Sequence, residues 1–431
     1  MAEPLAWVAP ALDDLEAAGL RRTLRHRAGP AGRTVDELLN LSSNDYLGLA
    51  AHPRVAAAAA DAAQLWGAGS GASRLVTGST ALHRELEAAL ANWKQTEDAV
   101  VFSSGYLANT GTIAALAGPG DLICSDALNH ASIVDGCRLS RAEVAVYPHG
   151  DVAALERLLA AGRGARRRLV VTDGVFSMDG DAADVATICD LAADHNAMVM
   201  VDDAHGCGVV GPDGRGIAAA QGCADRVSAA MGTLSKAFGA AGGYVAGSAA
   251  LCDWLRNRAR GFVFDTAAPP AAVGAALEAL DLSRDEPWRR ANARDLARRL
   301  AGALGVPAPA ACIVPLVIGE ARTAVEVSAA MERAGMLAMA IRPPSVPPGT
   351  ARLRLTVTAS HTVTDIESAA DALASAVANA GTVADAIATP AGTARTTGAE
   401  LSGLGPPARA GAASDTGDGF GTQRRTRRRD P

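Results

Sequence analysis

Lysine is nearly missing from this chain: of its 431 residues only Lys94 and Lys236 are lysine, and every other basic side chain apart from histidine is arginine. Aromatic residues make up only 3% of the chain while 49% is hydrophobic and alanine abounds, the balance of an ordinary soluble α/β enzyme with room for a large core. Seven cysteines, an odd number, are scattered and never spaced C-x-x-C, which argues against a disulfide framework or a zinc site and predicts reduced thiols. No apolar run is long enough to cross a bilayer, and Met1-Ala2-Glu3-Pro4-Leu5 lacks the basic and apolar stretches of a signal peptide, so a soluble cytoplasmic protein is expected. A net charge of −6 gives no reason to expect nucleic acid or an anionic membrane as partner. Neither a Walker loop nor H-E-x-x-H occurs. Gly67-Ala68-Gly69-Ser70-Gly71 does not match G-x-G-x-x-G and follows no strand, which disfavours a nicotinamide dehydrogenase.

What is present is an alternation. Residues 11–28 read as a short arginine-rich helix within an N-terminal segment (1–50). Across 51–285, apolar runs alternate with alanine-rich helical stretches. The runs are Ala99–Phe102, Leu122–Cys124, Leu169–Thr172, Met198–Val201, Val227–Ala230 and Tyr244–Ala246. Runs apolar throughout suit strands buried on both faces, and the intervening helices suit crossovers of a mainly parallel sheet flanked by helices. Several runs end in polar or glycine clusters, at the carboxyl ends where open α/β sheets bind ligands. Residues 286–380, with strands at Cys312–Ile318 and Arg352–Thr358, read as a smaller α+β domain. Residues 381–431, rich in Ala, Gly, Thr and Pro and ending in an arginine cluster, read as a disordered tail.

The chemistry concentrates in two segments. Met231-Gly232-Thr233-Leu234-Ser235-Lys236 sets the lysine among small residues just after a strand, and Val201-Asp202-Asp203-Ala204-His205-Gly206 ends another apolar run in acid and histidine. Together they look like a pyridoxal phosphate site, with Lys236 forming the imine and Asp202 facing the pyridine nitrogen. His130 is a candidate to stack on the ring and His205 to touch its hydroxyl. Ser103–Asn109, a strand end, glycine turn and helix start, is the candidate phosphate cradle, with Thr233 and Ser177 as further contacts. Arg342, in a proline-stiffened loop, is the best candidate for a substrate carboxylate. Arg352 and Arg354 alternate along a strand and read as a solvated face. Singly these residues have ordinary readings, such as a helix cap for Asp202 or a surface position for Lys236. Several in one α/β frame define a site.

These segments, with Ser43-Asn44-Asp45-Tyr46-Leu47-Gly48-Leu49 and Gly71-Ala72-Ser73-Arg74-Leu75-Val76-Thr77-Gly78, resemble the α-oxoamine synthases among the fold-type I pyridoxal phosphate enzymes, in order from about residue 12 to 378. The resemblance implies Lys236, Asp202, His130 and His205 as catalytic residues. It implies backbone of Gly105 and Tyr106 at the phosphate, Thr233 and Ser177 as cofactor contacts, and Arg342 at the amino-acid carboxylate. Asn44, Ser345 and Arg21, with Arg22 adjacent as an alternative, would line the acyl-substrate path. The family more often has threonine where this chain has Ser345, so the hydroxyl survives and a methyl is lost. Ile341–Thr350 and Arg352–Leu355 resemble the biotin-pathway branch, which implies decarboxylating condensation of L-alanine with pimeloyl-CoA or a pimeloyl carrier protein. It also implies a homodimer in which Phe264–Pro270 is lent to the partner subunit. Sister enzymes using other amino acids, and a non-catalytic protein of the same fold, are the alternatives.

Overall fold

The apolar runs assemble into one seven-stranded sheet in the computed structural model, which describes residues 4–381. From edge to edge the strands are Asp98–Phe102, Gly243–Gly247, Ala229–Thr233, Met198–Asp202, Arg168–Asp173, Leu122–Asp126 and Glu143–Tyr147. All neighbours pair parallel except Gly243–Gly247, which runs antiparallel to both of its neighbours. Side chains such as Val101, Val170 and Val201 enter a core on one face, and Val100, Ile123, Val171 and Met200 enter another on the opposite face. Burial on both sides explains why these strands read as continuous rather than alternating apolar runs. The register sets Asp173 beside Asp202, and Asp202 beside Met231, so the strand ends gather at one rim.

Three expectations change. The edge strand Glu143–Tyr147 was not expected; it has one buried residue, Tyr147, because its outer side has no neighbour. The run expected at Val227–Ala230 begins at Ala229 and extends to Thr233, since Val227 closes a short 3₁₀ turn over Ala224–Arg226. The N-terminal helix spans Val8–Ala17, not 11–28. Gly19, with φ of 66°, turns the chain out of it, so the arginines at 21, 22, 25 and 27 lie in irregular chain.

A second sheet orders Ile313–Gly319, Ala351–Thr356 and Ala340–Ile341, all antiparallel. Its core joins Leu316, Leu353 and Leu355 to Leu296 and Leu300 of the helix Trp288–Leu304 and to Leu373 of the helix Val363–Asn379. Each fully buried leucine contributes roughly 1.5–3 kcal/mol. The N-terminal segment takes part as well: Thr34–Val35 pairs with Leu38–Asn40, which pairs with Met336–Leu337, and Leu39 and Leu41 enter the second core. The expected tail lies outside the described residues.

Candidate active site

Lys236 follows the strand Ala229–Thr233 in a tight turn closed by Gly239 N–H donating to its carbonyl at 2.9 Å. Burial lowers the pKa of its amine below the ordinary lysine value, opposed by the carboxylates of Asp202 and Asp173 and reinforced by Arg354. Among the described residues no hydrogen bond or ion pair ties the amine down. A lysine so placed loses its proton more easily than an exposed one and is free to attack a carbonyl. Asp202, 4% exposed, accepts from Asn109 Nδ2 at 2.6 Å and from Ala204 N–H at 2.9 Å. Asp173, beside it on the next strand, accepts from His130 N–H at 3.1 Å. Burial, then the neighbouring Asp202 charge, pushes the Asp173 carboxyl well above the usual range, with Lys236 opposing.

Two histidines flank this pair. His130 caps the helix Ala131–Ser140, its Nδ1 held by Ser132 Oγ at 2.7 Å and Ser132 N–H at 3.2 Å. His205 Nδ1 lies 2.6 Å from the hydroxyl of Tyr46, which also lies 3.1 Å from Asn44 Oδ1. Desolvation, with the Lys236 and Arg354 charges, holds the His205 imidazole well below its ordinary pKa, so it is neutral.

The helix Gly105–Leu116 begins beneath the same cleft, and Ser104 caps it by accepting from Leu107 N–H at 3.2 Å. The first turn leaves the N–H groups of Gly105 and Tyr106 without helical acceptors, an arrangement suited to a phosphate. A Cβ on Gly105 would fill this space, lying 3.1 Å from Met231 Cε and 3.4 Å from the Thr233 hydroxyl, and one on Gly243 would meet Gly105 Cα at 2.6 Å. The residues therefore fit pyridoxal phosphate. The cradle is kept open by glycine, and the carboxylate of Asp202 accepts from an amide and a backbone N–H rather than from a cation. The amine of Lys236 is unengaged.

Lys236, Asp202, His205, His130, Gly105, Tyr106, Ser177 and Thr233 line one cleft, together with Asn109, Ser132 and Asp173. Arg342, expected at the amino-acid carboxylate, and Ser345, Arg21 and Asn44, expected along the acyl path, lie apart from that lining. Arg342 donates to the carbonyl of Gly19, Ser345 accepts from Arg22 Nη2 at 3.1 Å, and Arg21 lies 3.7 Å from Glu16. Asn44 links to the site through Tyr46 and accepts from Arg354 Nη1 at 3.1 Å. The expected solvated face at Arg352 and Arg354 is corrected, since they are 5% and 8% exposed. Arg352 pairs with Asp179, and Arg354 Nε donates to the carbonyl of Ser177, because the loop after the strand Arg168–Asp173 covers this strand. Asn109, Ser132 and Asp173 carried no separate signal in the sequence, although Asn109 stands in the candidate phosphate cradle and Asp173 directly follows the run Leu169–Thr172.

The chain matches the class I and II aminotransferase family over residues 36–373. It is 51% identical over 380 residues to an 8-amino-7-oxononanoate synthase of Anaeromyxobacter dehalogenans, covering 86% of this chain and 95% of the relative. It is 49% identical over 379 residues to one of Geobacter sulfurreducens, covering 85% and 97%. Among solved structures, the serine palmitoyltransferase of Sphingomonas wittichii superposes with a TM-score of 0.82 at 32% identity, covering 88% of this chain and 99% of that one. The 8-amino-7-oxononanoate synthase of Francisella tularensis superposes with a TM-score of 0.69 at 25% identity, covering 80% and 99%. With a buried acid and a free lysine at adjacent strand ends, and likeness running over most of its length, the chain belongs to the class I and II aminotransferase family and, within it, to the α-oxoamine synthases.

Proposed function

We propose that the protein is a pyridoxal phosphate-dependent acyltransferase that condenses L-alanine with a pimeloyl thioester, releasing carbon dioxide and the carrier thiol and forming 8-amino-7-oxononanoate for biotin synthesis. The observation that carries this reading is about half identity, over nearly their whole length, with relatives of that name. When bound, the cofactor supplies an aldehyde for imine formation and a ring that stores the electron pair left by a departing proton or carboxylate.

The chain's own residues do the rest. Asp202, steadied by Asn109 and Ala204, would accept a hydrogen bond from the ring nitrogen. Gly105, Tyr106 and Thr233 would hold the phosphate, with Ser177, His205 and His130 on the same lining available to the ring. The Lys236 amine takes the α-proton of alanine and returns one after decarboxylation, tasks favoured by its lowered pKa. Arg354, buried and close enough for its charge to act on both Lys236 and His205, is in this reading the guanidinium for the amino-acid carboxylate, in place of Arg342. Arg342, Arg22 and Ser345 are then left for the acyl side, with Arg21 next to Arg22 in sequence and Asn44 held by Arg354.

The protein acts as a cytoplasmic homodimer in this reading. Supporting the dimer, Leu75, Val76 and Phe264 are 55%, 73% and 70% exposed on adjoining segments that are bridged at Ser73 and Thr266. The test is thiol release by the cofactor-loaded protein with L-alanine and pimeloyl-CoA, beside glycine with acetyl-CoA and L-serine with palmitoyl-CoA. Release only with the first pair is expected. Release only with another pair moves the assignment to a sister enzyme, and none with any pair points to a non-catalytic protein. Lys236→Ala should abolish release while the protein still folds; near-normal activity would sink the mechanism.

A further inference from the structure

A single line of hydrogen bonds joins the buried acid to His130 on the lining of the same cleft. Asn109 Nδ2 spans 2.6 Å to Asp202 Oδ2 and 2.8 Å to Ser132 Oγ, and Ser132 Oγ lies 2.7 Å from His130 Nδ1. Its polarity can be read atom by atom. Reversing the Asn109 amide would set two acceptor oxygens 2.6 Å apart, so the nitrogen faces Asp202 and spends its two protons on Asp202 and Ser132. Ser132 Oγ, already accepting from Asn109, has its own proton for His130 Nδ1. The backbone N–H of Ser132 points at the same nitrogen from 3.2 Å. With two donors converging on it, Nδ1 is a bare acceptor and the ring proton sits on Nε2. Asn109 is 1% exposed, and its Oδ1 is buried without a hydrogen-bond partner. An orphaned buried acceptor is unusual and destabilising, and here it follows from committing the amide nitrogen to both neighbours.

We propose that Asn109 and Ser132 are positioning residues that fix His130 as the neutral Nε2–H tautomer and tie its ring to the Asp202 carboxylate. The cleft then meets an uncharged imidazole face and one defined N–H donor at its edge. A cationic ring there would oppose a cofactor that needs its own positive charge at the nitrogen facing Asp202. The inference rests on the proposed cofactor site for its meaning, but its test requires neither cofactor nor substrate. The other titratable groups around His130 are Asp202, Lys236, His205 and Asp173. Burial and Lys236 lower its pKa while Asp202 opposes them, in keeping with a neutral ring.

The experiment is a nitrogen–proton correlation spectrum of the full chain labelled with imidazole-¹⁵N histidine, recorded with and without pyridoxal phosphate. His130 is identified by the signal lost in His130→Asn. The expected result is a proton on Nε2 and a hydrogen-bonded bare Nδ1. In Ser132→Ala one donor to Nδ1 is gone, and in Asn109→Leu the serine hydroxyl is free to turn and accept from a protonated ring. Each should raise the His130 titration midpoint by about one pH unit, the size of one ordinary hydrogen bond. Ser132→Thr, which keeps the hydroxyl, should stay near the unmodified protein. A proton on Nδ1 in the unmodified chain overturns the proposal even if no variant folds, and so do unchanged midpoints in folded Ser132→Ala and Asn109→Leu. Because no turnover is read, failure here is distinct from failure of the proposed activity.

Discussion

Two arginines compete for the substrate carboxylate, and their surroundings separate them. Arg342 is held by the carbonyl of Gly19 on the N-terminal segment, whereas Arg354 lies buried against Asn44 and the backbone of Ser177, with its charge felt at Lys236. Arg354→Lys, which loses the planar fork, should raise the KM for L-alanine by about ten- to a hundredfold. Arg342→Lys should leave that KM within about twofold and alter the KM for the acyl thioester instead. Steady-state kinetics with each substrate varied in turn separates the outcomes, and the reverse pattern would return the carboxylate to Arg342. Lys236, Asp202, His205 and His130 were legible because each stands in a short segment at the end of an apolar run or at a helix start. Arg354 was hidden because alternation along a strand reads as one solvent face. That reading fails when a loop more than 170 residues away in sequence covers the exposed side. Asn109 was hidden for a related reason: on a helix buried around most of its circumference, no polarity pattern marks one polar side chain as directed at a neighbour.

The loop between Asp173 and Val185 is fastened from outside by one histidine. His149 reaches Asp126 at 3.0 Å through Nδ1 and Asp181 at 2.8 Å through Nε2, and its ring packs edge-on against Phe176 with centroids 4.3 Å apart. Burial disfavours the charged ring, but the two carboxylates outweigh it and push its pKa up to about 10. A pKa raised on folding contributes stability that is fully present below the unfolded value of ~6.5 and is lost as pH rises through the folded one. Thermal melts of His149→Gln should therefore fall below the unmodified protein by the largest margin at pH ~6 and converge with it as pH approaches about 10. A margin that stays constant over that range would show that the ring's packing, not its charge, fastens the loop. Elements were legible where burial was symmetric: the two-sided apolar strands of the large sheet declared themselves. Glu143–Tyr147 did not, because an edge strand with exposed Val144 and Val146 carries neither the continuous run of a central strand nor a polar outer face.

The N-terminal segment is tied to the last described helix. Arg33 grips Asp365 with Nε at 2.7 Å and Nη2 at 2.5 Å, and Asp365 also accepts from Thr362 N–H at 2.8 Å. Burial alone would raise the Asp365 pKa, but Arg33 and Thr362 outweigh it and bring it down to about 2. A depressed carboxyl contributes stability above its unfolded value of ~3.9, and that contribution disappears as pH falls through the folded one. Arg33→Ala should cost up to about 1 kcal/mol near neutrality, since the arginine remains half exposed, and the cost should shrink below pH ~4. Urea melts at the two pH values measure it, and a pH-independent cost would mean that the pair holds the segment by packing alone. The sheet order carries a further consequence for how the chain is made. Asp98–Phe102, buried on both faces, has Gly243–Gly247 as its only strand partner among the described residues, so during synthesis it waits for everything between Phe102 and Gly243 to leave the ribosome. At ordinary translation speeds that interval is on the order of ten seconds, during which the nascent chain presents an unpaired, sticky strand to the cell. The topology thus fixes a period in synthesis when the first half of the sheet lacks the strand that completes this edge.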